Sequence, residues 1–243
     1  MDLTFFETNL VLARSARLKN RYKENHVIRR VDLSVLLLAF HINVSLNHVF
    51  TLNLMTDLSG HLLIAIPDLG DPNFSKTVVL LFQHSQEGAS GLILNRPSDS
   101  PVSAVWEKVA GERCDCEDWV LVGGPVQGPL IALHSSIALS ETQVLPAGDE
   151  SSLPVYISLE RENLDALVRQ EKQPFKIFCG YAGWGPGQLE SEVEQGGWLT
   201  LKANSEHVFN SPDGLWRQVC DDVGKDVLMP LLGRQNLGDP SLN

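Results

Sequence analysis

Three groups of side chains in this sequence have types and spacings suited to chemistry. The first is His84 with Asn95-Arg96-Pro97. Each follows an apolar run, so each is expected where a strand ends, a common place for binding residues. An arginine there can hold a carboxylate or phosphate through paired N–H bonds. A histidine titrates near neutral pH and can pass a proton. Together they would suit a small anionic or acyl substrate, with Arg96 binding it and His84 acting as acid or base. The plainer reading is that Arg96 pairs with a nearby acid and His84 satisfies a loop carbonyl.

The second group is Gly180-Tyr181-Ala182-Gly183-Trp184-Gly185-Pro186-Gly187-Gln188-Leu189-Glu190, closing at Gly196-Gly197-Trp198. It reads as a strand end, a glycine-rich turn and a short helix, with Pro186 at the first helical position. Free N–H groups at a helix start attract anions. Trp184, Gly185, Gly187 and Gln188 therefore join Asn95 and Arg96 as ligand-binding candidates. Gly183, Gly185 and Gly187 are expected to serve backbone geometry, some at positive φ, so that Gly185→Ala destabilises the fold. Trp184 and Trp198 are expected to pack the turn onto the sheet. Glu190, Glu192 and Glu194 would oppose an anion; Glu190 and Glu194 share a helix face and suit a cationic or hydroxylated partner, or simply water.

The third group is Cys114-Asp115-Cys116, two thiols where zinc takes four ligands. No second pair follows, so no metal and no cofactor is expected. Asp68 and Asp71 lie in a turn without the spacing of a calcium loop. Cys179 and Cys220 sit in apolar patterns and are expected to be buried. His61, His84, His134 and His207 are scattered. The chain has no GxSxG elbow, no Lys-Ser/Thr after the glycines, and no dinucleotide fingerprint at Gly123-Gly124-Pro125.

The elements that must position these residues begin near residue 60. His61–Ile66 and Thr77–Phe82 read as strands, and Gly91–Leu94 returns after a turn as the antiparallel partner. Ser100 and Pro101 are expected to open a helix that Gly111 stops. Trp119–Val122, Leu130–His134, Val155–Leu159, Phe175–Cys179 and Trp198–Leu201 read as further strands. Ser158 is expected to cap a helix carrying Leu164, Leu167 and Val168. Ser211 and Pro212 are expected to open a last helix ended by Gly224. Strands outnumber helices without alternating with them, which favours α+β over a doubly wound sheet.

Charge divides the chain. Residues 1–54 hold 7 of the 19 Lys/Arg and 4 of the 30 Asp/Glu, a surplus of +3, so the remainder carries −14 of the net −11. The acidic part is expected not to bind DNA directly, because phosphate contacts need basic residues. The apolar run Val35–Phe40 is too short to span a bilayer, and the segment fits a signal peptide poorly. Residues 1–54 therefore read as an atypical extension, a misassigned start or a disordered segment. Residues 55–232 read as one domain and 233–243 as a flexible tail. No membrane contact and a reducing, cytoplasmic setting are expected.

Taken in order, these residues resemble the AlgH/YqgE family of bacterial proteins. The matching motifs are Gly60–Pro67, Asp71-Pro72-Asn73-Phe74, Thr77–Leu81 with His84, Gly88–Pro97, Gly123-Gly124-Pro125-Val126, Gly180–Glu190 and Gly197-Trp198. The resemblance implies a single compact α+β domain with a mixed, strongly curved, partly barrel-like sheet flanked by helices. It implies a cytosolic protein and supplies no catalytic residues. The name of the family implies a regulatory role, but no helix-turn-helix is visible. Two functional readings follow: a non-catalytic binding or regulatory protein with a protein or small-molecule partner at the strand ends, or the His84/Arg96 enzyme described above.

Overall fold

The computed structural model describes residues 57–233 other than 68, 140, 149–151 and 170–172, and backbone alone from 225 onward. The expectations for residues 1–54, for Asp68 and for the tail after Gly233 lie outside the described residues. The order is β1 (His61–Ala65), β2 (Val78–Ser85), β3 (Gly88–Ile93), β4 (Pro97–Pro101), α1 (Val102–Ala110), β5 (Trp119–Val122), β6 (Val126–His134), β7 (Thr142–Leu145), β8 (Val155–Ser158), α2 (Arg161–Arg169), β9 (Phe175–Trp184), α3 (Gln188–Glu194), β10 (Trp198–Lys202), α4 (Ser205–Phe209) and α5 (Leu215–Gly233). This is an α+β domain built on one mixed sheet in the order β10-β1-β2-β3-β9-β6-β8-β7, with β5 pairing both β4 and β9. The β5–β9 pair is parallel.

Alternation along the strands divides the core between two faces. Leu62, Ile64, Leu80, Leu121 and Phe178 enter one cluster that also takes Leu145, Val155, Leu215 and Val219. Strands from both ends of the sheet share that cluster, so the sheet curls around it as a half-barrel, and α5 covers it. The curl brings Gly60, before β1, against Leu145 at the end of β7. The opposite face is covered twice. Leu63, Val79, Ala182, Trp184 and Trp198 pack under α3, and Val120, Ala132 and Ile177 pack under Trp106 of α1 and Leu164 of α2.

β9 is the central strand, and it explains much of the glycine signature. The sequence places a turn after Cys179, but the strand runs on to Trp184, pairing Ala182 with Gly91 and Trp184 with Ala89 of β3. One edge of β9 thus changes neighbour from β5 to β3 around Gly180, which has φ +73°. The chain leaves β5 through Gly123, whose N–H donates to Cys179 O at 2.9 Å and whose carbonyl accepts from Ile93 N at 2.8 Å. A Cβ on Gly123 would stand 2.2 Å from Gly180 O. The backbone passes too close there for any side chain.

Helix starts differ from expectation wherever the fold supplies a cap from elsewhere. α1 has Pro101, not Ser100, at its N-cap and no side-chain cap. Its free N–H groups at Val102 and Ser103 donate instead to Asp118 O (2.7 Å) and Cys116 O (3.2 Å). Ser158 does not cap α2; Glu141 does, its carboxylate accepting the N–H groups of Leu159 and Glu160. Burial works against that charge, but these bonds and one from Asn163 outweigh it and hold the Glu141 carboxyl below its usual range. α5 starts at Leu215 rather than Pro212, after Gly214 at φ +77°. It passes straight through Gly224, which is buried, so packing on the core outweighs the weak helix propensity of glycine. α4, β4 and β7 carry no periodic signal and were not expected. Cys220 is buried, and burial pushes its thiol up to about 12. Cys179 is exposed, contrary to expectation. It shares a face with Ile177, but the cover of α1 and α2 stops short of it.

Candidate functional site

The glycine signature ends in an aromatic and carboxylate cluster. Phe74 stacks on Trp184 (centroids 5.9 Å, 26°) and meets Trp198 edge-on (5.4 Å, 77°). The two indoles are themselves edge-to-face at 6.1 Å. One oxygen of Glu192 accepts both indole N–H groups, at 3.0 Å from Trp184 and 2.9 Å from Trp198. Its other oxygen accepts from Gln188 Nε2 at 2.9 Å, and Gln188 Oε1 accepts the N–H of Gly185 at 3.1 Å. Buried indole N–H groups need such an acceptor. Glu192 is thus a positioning group inside the fold and not part of a solvated acidic face. Nothing before the fold distinguishes it from Glu190 and Glu194 except its four-residue spacing from Gln188.

The local backbone corrects two expectations. Pro186 is not the first helical residue, since α3 starts at Gln188 with Gly187 as its N-cap at φ +72°. Gly185 is not at positive φ, and the nearest atom to a Cβ there would be Gln188 Oε1 at 3.9 Å. Gly185→Ala should therefore leave stability within about 0.5 kcal/mol of the parent, the range of a surface change away from special geometry. Urea unfolding of the two chains is the check. A loss above 1 kcal/mol would contradict this geometry.

The hairpin separates His84 from Arg96. β2 and β3 are antiparallel, with His84 opposite Ala89 at one end and Val79 opposite Ile93 at the other. Arg96 lies beyond that far end, about eight residues of strand or roughly 26 Å from His84. The two do not share a site. His84 Nδ1 accepts the Leu58 N–H at 3.0 Å, so its Nε2 carries the proton and donates to Glu190 Oε1 at 3.0 Å. Asn95 accepts from Val78 N and donates to Lys76 O, both at 2.9 Å, completing the edge of β2. Arg96 donates to Asn73 O at 2.6 Å. Each of these candidates ties one segment of the fold to another.

A buried histidine–serine pair also forms, which the sequence did not suggest. His134 Nδ1 accepts the Ser136 N–H at 3.2 Å, so Nε2 donates to Ser158 Oγ at 3.0 Å. The Ser158 hydroxyl in turn donates to Leu139 O at 2.8 Å. A base must accept the serine proton, and here the proton points elsewhere. Burial lowers the His134 pKa. The pair is structural.

The described residues also form a cleft of about 1100 Å³ at the opposite end of β9 from the signature. Its walls include Cys116, Asp118 and Trp119 before and at the start of β5, Phe175 and Lys176 at the start of β9, and Phe209 at the end of α4. Leu121 stands opposite Phe178 in the parallel pair, which sets Trp119 across from Lys176. Trp119 is 56% exposed, unusual for so large an apolar ring. Lys176 is half-buried and donates through Nζ to Asn210 O at 2.5 Å. Burial lowers its pKa to about 8, against a smaller opposing pull from the Asp118 carboxylate. The other two cations of the cleft are paired: Arg113 with Glu107, and Arg169 with Asp165 and Glu112. Of the residues that the sequence offers for chemistry, Cys114-Asp115-Cys116 and Pro97 line this cleft and the others do not. Among the described residues no group of three His, Cys, Asp or Glu is placed to hold a metal.

Lys176 yields a pH prediction. Its folded pKa lies below its unfolded one, so the unfolded chain binds more protons between about pH 8 and 10.5 and stability rises there. Below pH 8 the cost of burying the charge is felt in full. Lys176→Met should therefore gain about 1–2 kcal/mol on the parent at pH 7, after discounting for solvent screening, and lose that advantage towards pH 10.5. Denaturant titrations at the two pH values measure the difference. An advantage independent of pH would contradict the assignment.

The family model described as DUF179: AlgH-like matches residues 62–228. A UPF0301 protein of Ruegeria pomeroyi is 36% identical over 182 residues, covering 71% of this chain and 95% of that protein. A UPF0301 protein of Streptomyces avermitilis is 37% identical over 202 residues, covering 78% and 97%. The solution structure of the AlgH protein from Pseudomonas aeruginosa aligns with a TM-score of 0.57 at 31% identity, covering 79% of this chain and 98% of that one. A crystal structure from Corynebacterium diphtheriae shares the fold at 22% identity, with a TM-score of 0.51 over 70% and 90% of the two chains.

Proposed function

This chain belongs to the AlgH-like family, and from that premise we propose that it is a non-catalytic binding or regulatory protein that holds a small molecule in the cleft beside Trp119 and Lys176. The observation that carries this reading is the exposed indole across from a half-buried amine in a concave space large enough for a small ligand. The ring offers a flat apolar face, and the amine and surrounding polar groups offer orientation. The signature cluster supports the reading from the other side. Its N–H groups and carboxylates already satisfy one another, so it serves as a scaffold.

The reading includes a cytoplasmic setting and no direct contact with DNA. No helix among the described residues is long and apolar enough to cross a membrane, and the charge of −14 after residue 54 repels phosphate. The test is gentle purification of the full chain from its own cells, followed by mass spectrometry of what it releases. A small molecule should accompany the parent chain and fall at least about tenfold with Trp119→Ala. Equal recovery from both chains, or nucleic acid as the main companion, would contradict the proposal.

A further inference from the structure

The amine of Lys176 has an unusual combination of surroundings. It lies half-buried at the wall of the cleft at the start of β9, with Trp119 across from it on β5 and Phe209 arriving from α4. Its hydrogen-bond acceptor is a neutral carbonyl, Asn210 O, and the Asp118 carboxylate opposes the effect of burial only in part. Among the described residues lining the cleft it is the cation outside any ion pair, because Arg113 and Arg169 are both held by acids. An ammonium held by a neutral acceptor in a desolvated position gives up its proton more readily than one in water. A neutral amine at the wall of an accessible cleft is the requirement for attack on a carbonyl carbon, and the acids that share this cleft with it are Asp99, Asp115, Glu117, Asp118 and Asp213.

We propose that Lys176 is a covalent, reversible attachment point for an aldehyde or ketone ligand whose apolar part lies against Trp119. The inference deepens the cleft reading and rests on it. In the reaction the Nζ lone pair adds to the carbonyl carbon to give a carbinolamine. The carbonyl oxygen then leaves as water, taking the two amine hydrogens, and a carbon–nitrogen double bond remains. No oxidant, reductant or further reactant enters. The lowered pKa of about 8 fits this chemistry, since it leaves a useful fraction of neutral amine near pH 7. An ordinary exposed lysine leaves far less.

The experiment uses the full chain with benzaldehyde as the carbonyl probe and benzyl alcohol as its counterpart that cannot form an imine. Imines are reduced with borohydride, and the labelled lysines are mapped by peptide mass spectrometry. Binding without reaction is read from the amide and indole NMR shifts of cleft residues. Lys176 should be labelled at least about tenfold faster than Lys76, Lys108 and Lys202 at pH 7, the direction set by its larger neutral fraction. Its labelling rate should rise with a midpoint near pH 8. Benzyl alcohol should shift the Trp119 indole signal, and Lys176→Arg should keep that shift while losing the label. Labelling of Lys176 no faster than the other lysines, with the shifts intact, would overturn the covalent inference and leave the cleft reading standing. Neither label nor shift at saturating probe would overturn both.

Discussion

Trp198→Ala is expected to destabilise the chain by about 3–5 kcal/mol, the range for removing a fully packed aromatic side chain. Trp198 is only 2% exposed. Its ring meets Phe74 and Trp184 edge-on, and its N–H ends on Glu192. The alanine variant leaves a cavity between α3 and the sheet and removes one of the two indole donors from the Glu192 oxygen. Trp198→Phe separates these effects, keeping much of the ring contact while deleting the N–H, and should lose about 1–2 kcal/mol. Both losses should appear as lower urea midpoints with unchanged slopes. An alanine variant within 1 kcal/mol of the parent would mean that this cluster does not hold α3 in place.

Gly123→Ala is expected to cost about 4 kcal/mol or more, large enough to be diagnostic of a single mechanism. The added carbon would stand 2.2 Å from Gly180 O and 2.9 Å from Leu92 Cδ2. The carbonyl is backbone held within the sheet, so it cannot step aside as a flexible side chain would. Relief requires moving β5 away from β9, which breaks the bond from Gly123 N to Cys179 O. For a chain of this size the midpoint of thermal unfolding should fall by roughly 8–16 °C. The contrast with Gly185→Ala is sharp, because both glycines belong to conspicuous motifs and only one faces backbone. Equal effects of the two substitutions would contradict the close approach of β5 and β9.

The sequence carried the scaffold better than the site, and particular residues show why. The unbroken apolar runs Leu62–Ala65 and Val78–Leu81 mark strands directly, because these segments are buried on both faces. The family motifs were equally legible, and with them the curled α+β sheet. In the sequence the glycine signature reads as a turn, because glycine normally signals one. Here Gly180 and Gly183 lie within β9, whose neighbours approach too closely for larger residues at Gly123 and Gly124. Ser100 and Ser158 read as caps, but the caps come from Asp118 O, Cys116 O and Glu141, which only tertiary packing brings near. Such non-local partners leave no local pattern.

The candidate residues show the same division. His84, Asn95 and Arg96 stood out because polar groups follow apolar runs, and they do lie at strand ends. Antiparallel pairing puts His84 and Arg96 at opposite ends of one hairpin, and each bonds to a nearby segment. Lys176 gave no signal at all. Its altered proton affinity arises from burial by elements distant in sequence, β5 and the end of α4. A lysine after a phenylalanine at the start of a strand is otherwise unremarkable.

Hydrogen exchange on the full chain, with and without the small molecule recovered in purification, tests the cleft most directly. The ligand should slow exchange in the segments around Cys116–Trp119, Phe175–Ile177 and Phe209–Asp213, which wall the cleft or adjoin it. Exchange in Gly185–Glu192 should stay unchanged, because that region already bonds to itself. Protection centred on Gly185–Glu192, with none at Trp119 or Lys176, would contradict the account and return the ligand to the glycine signature.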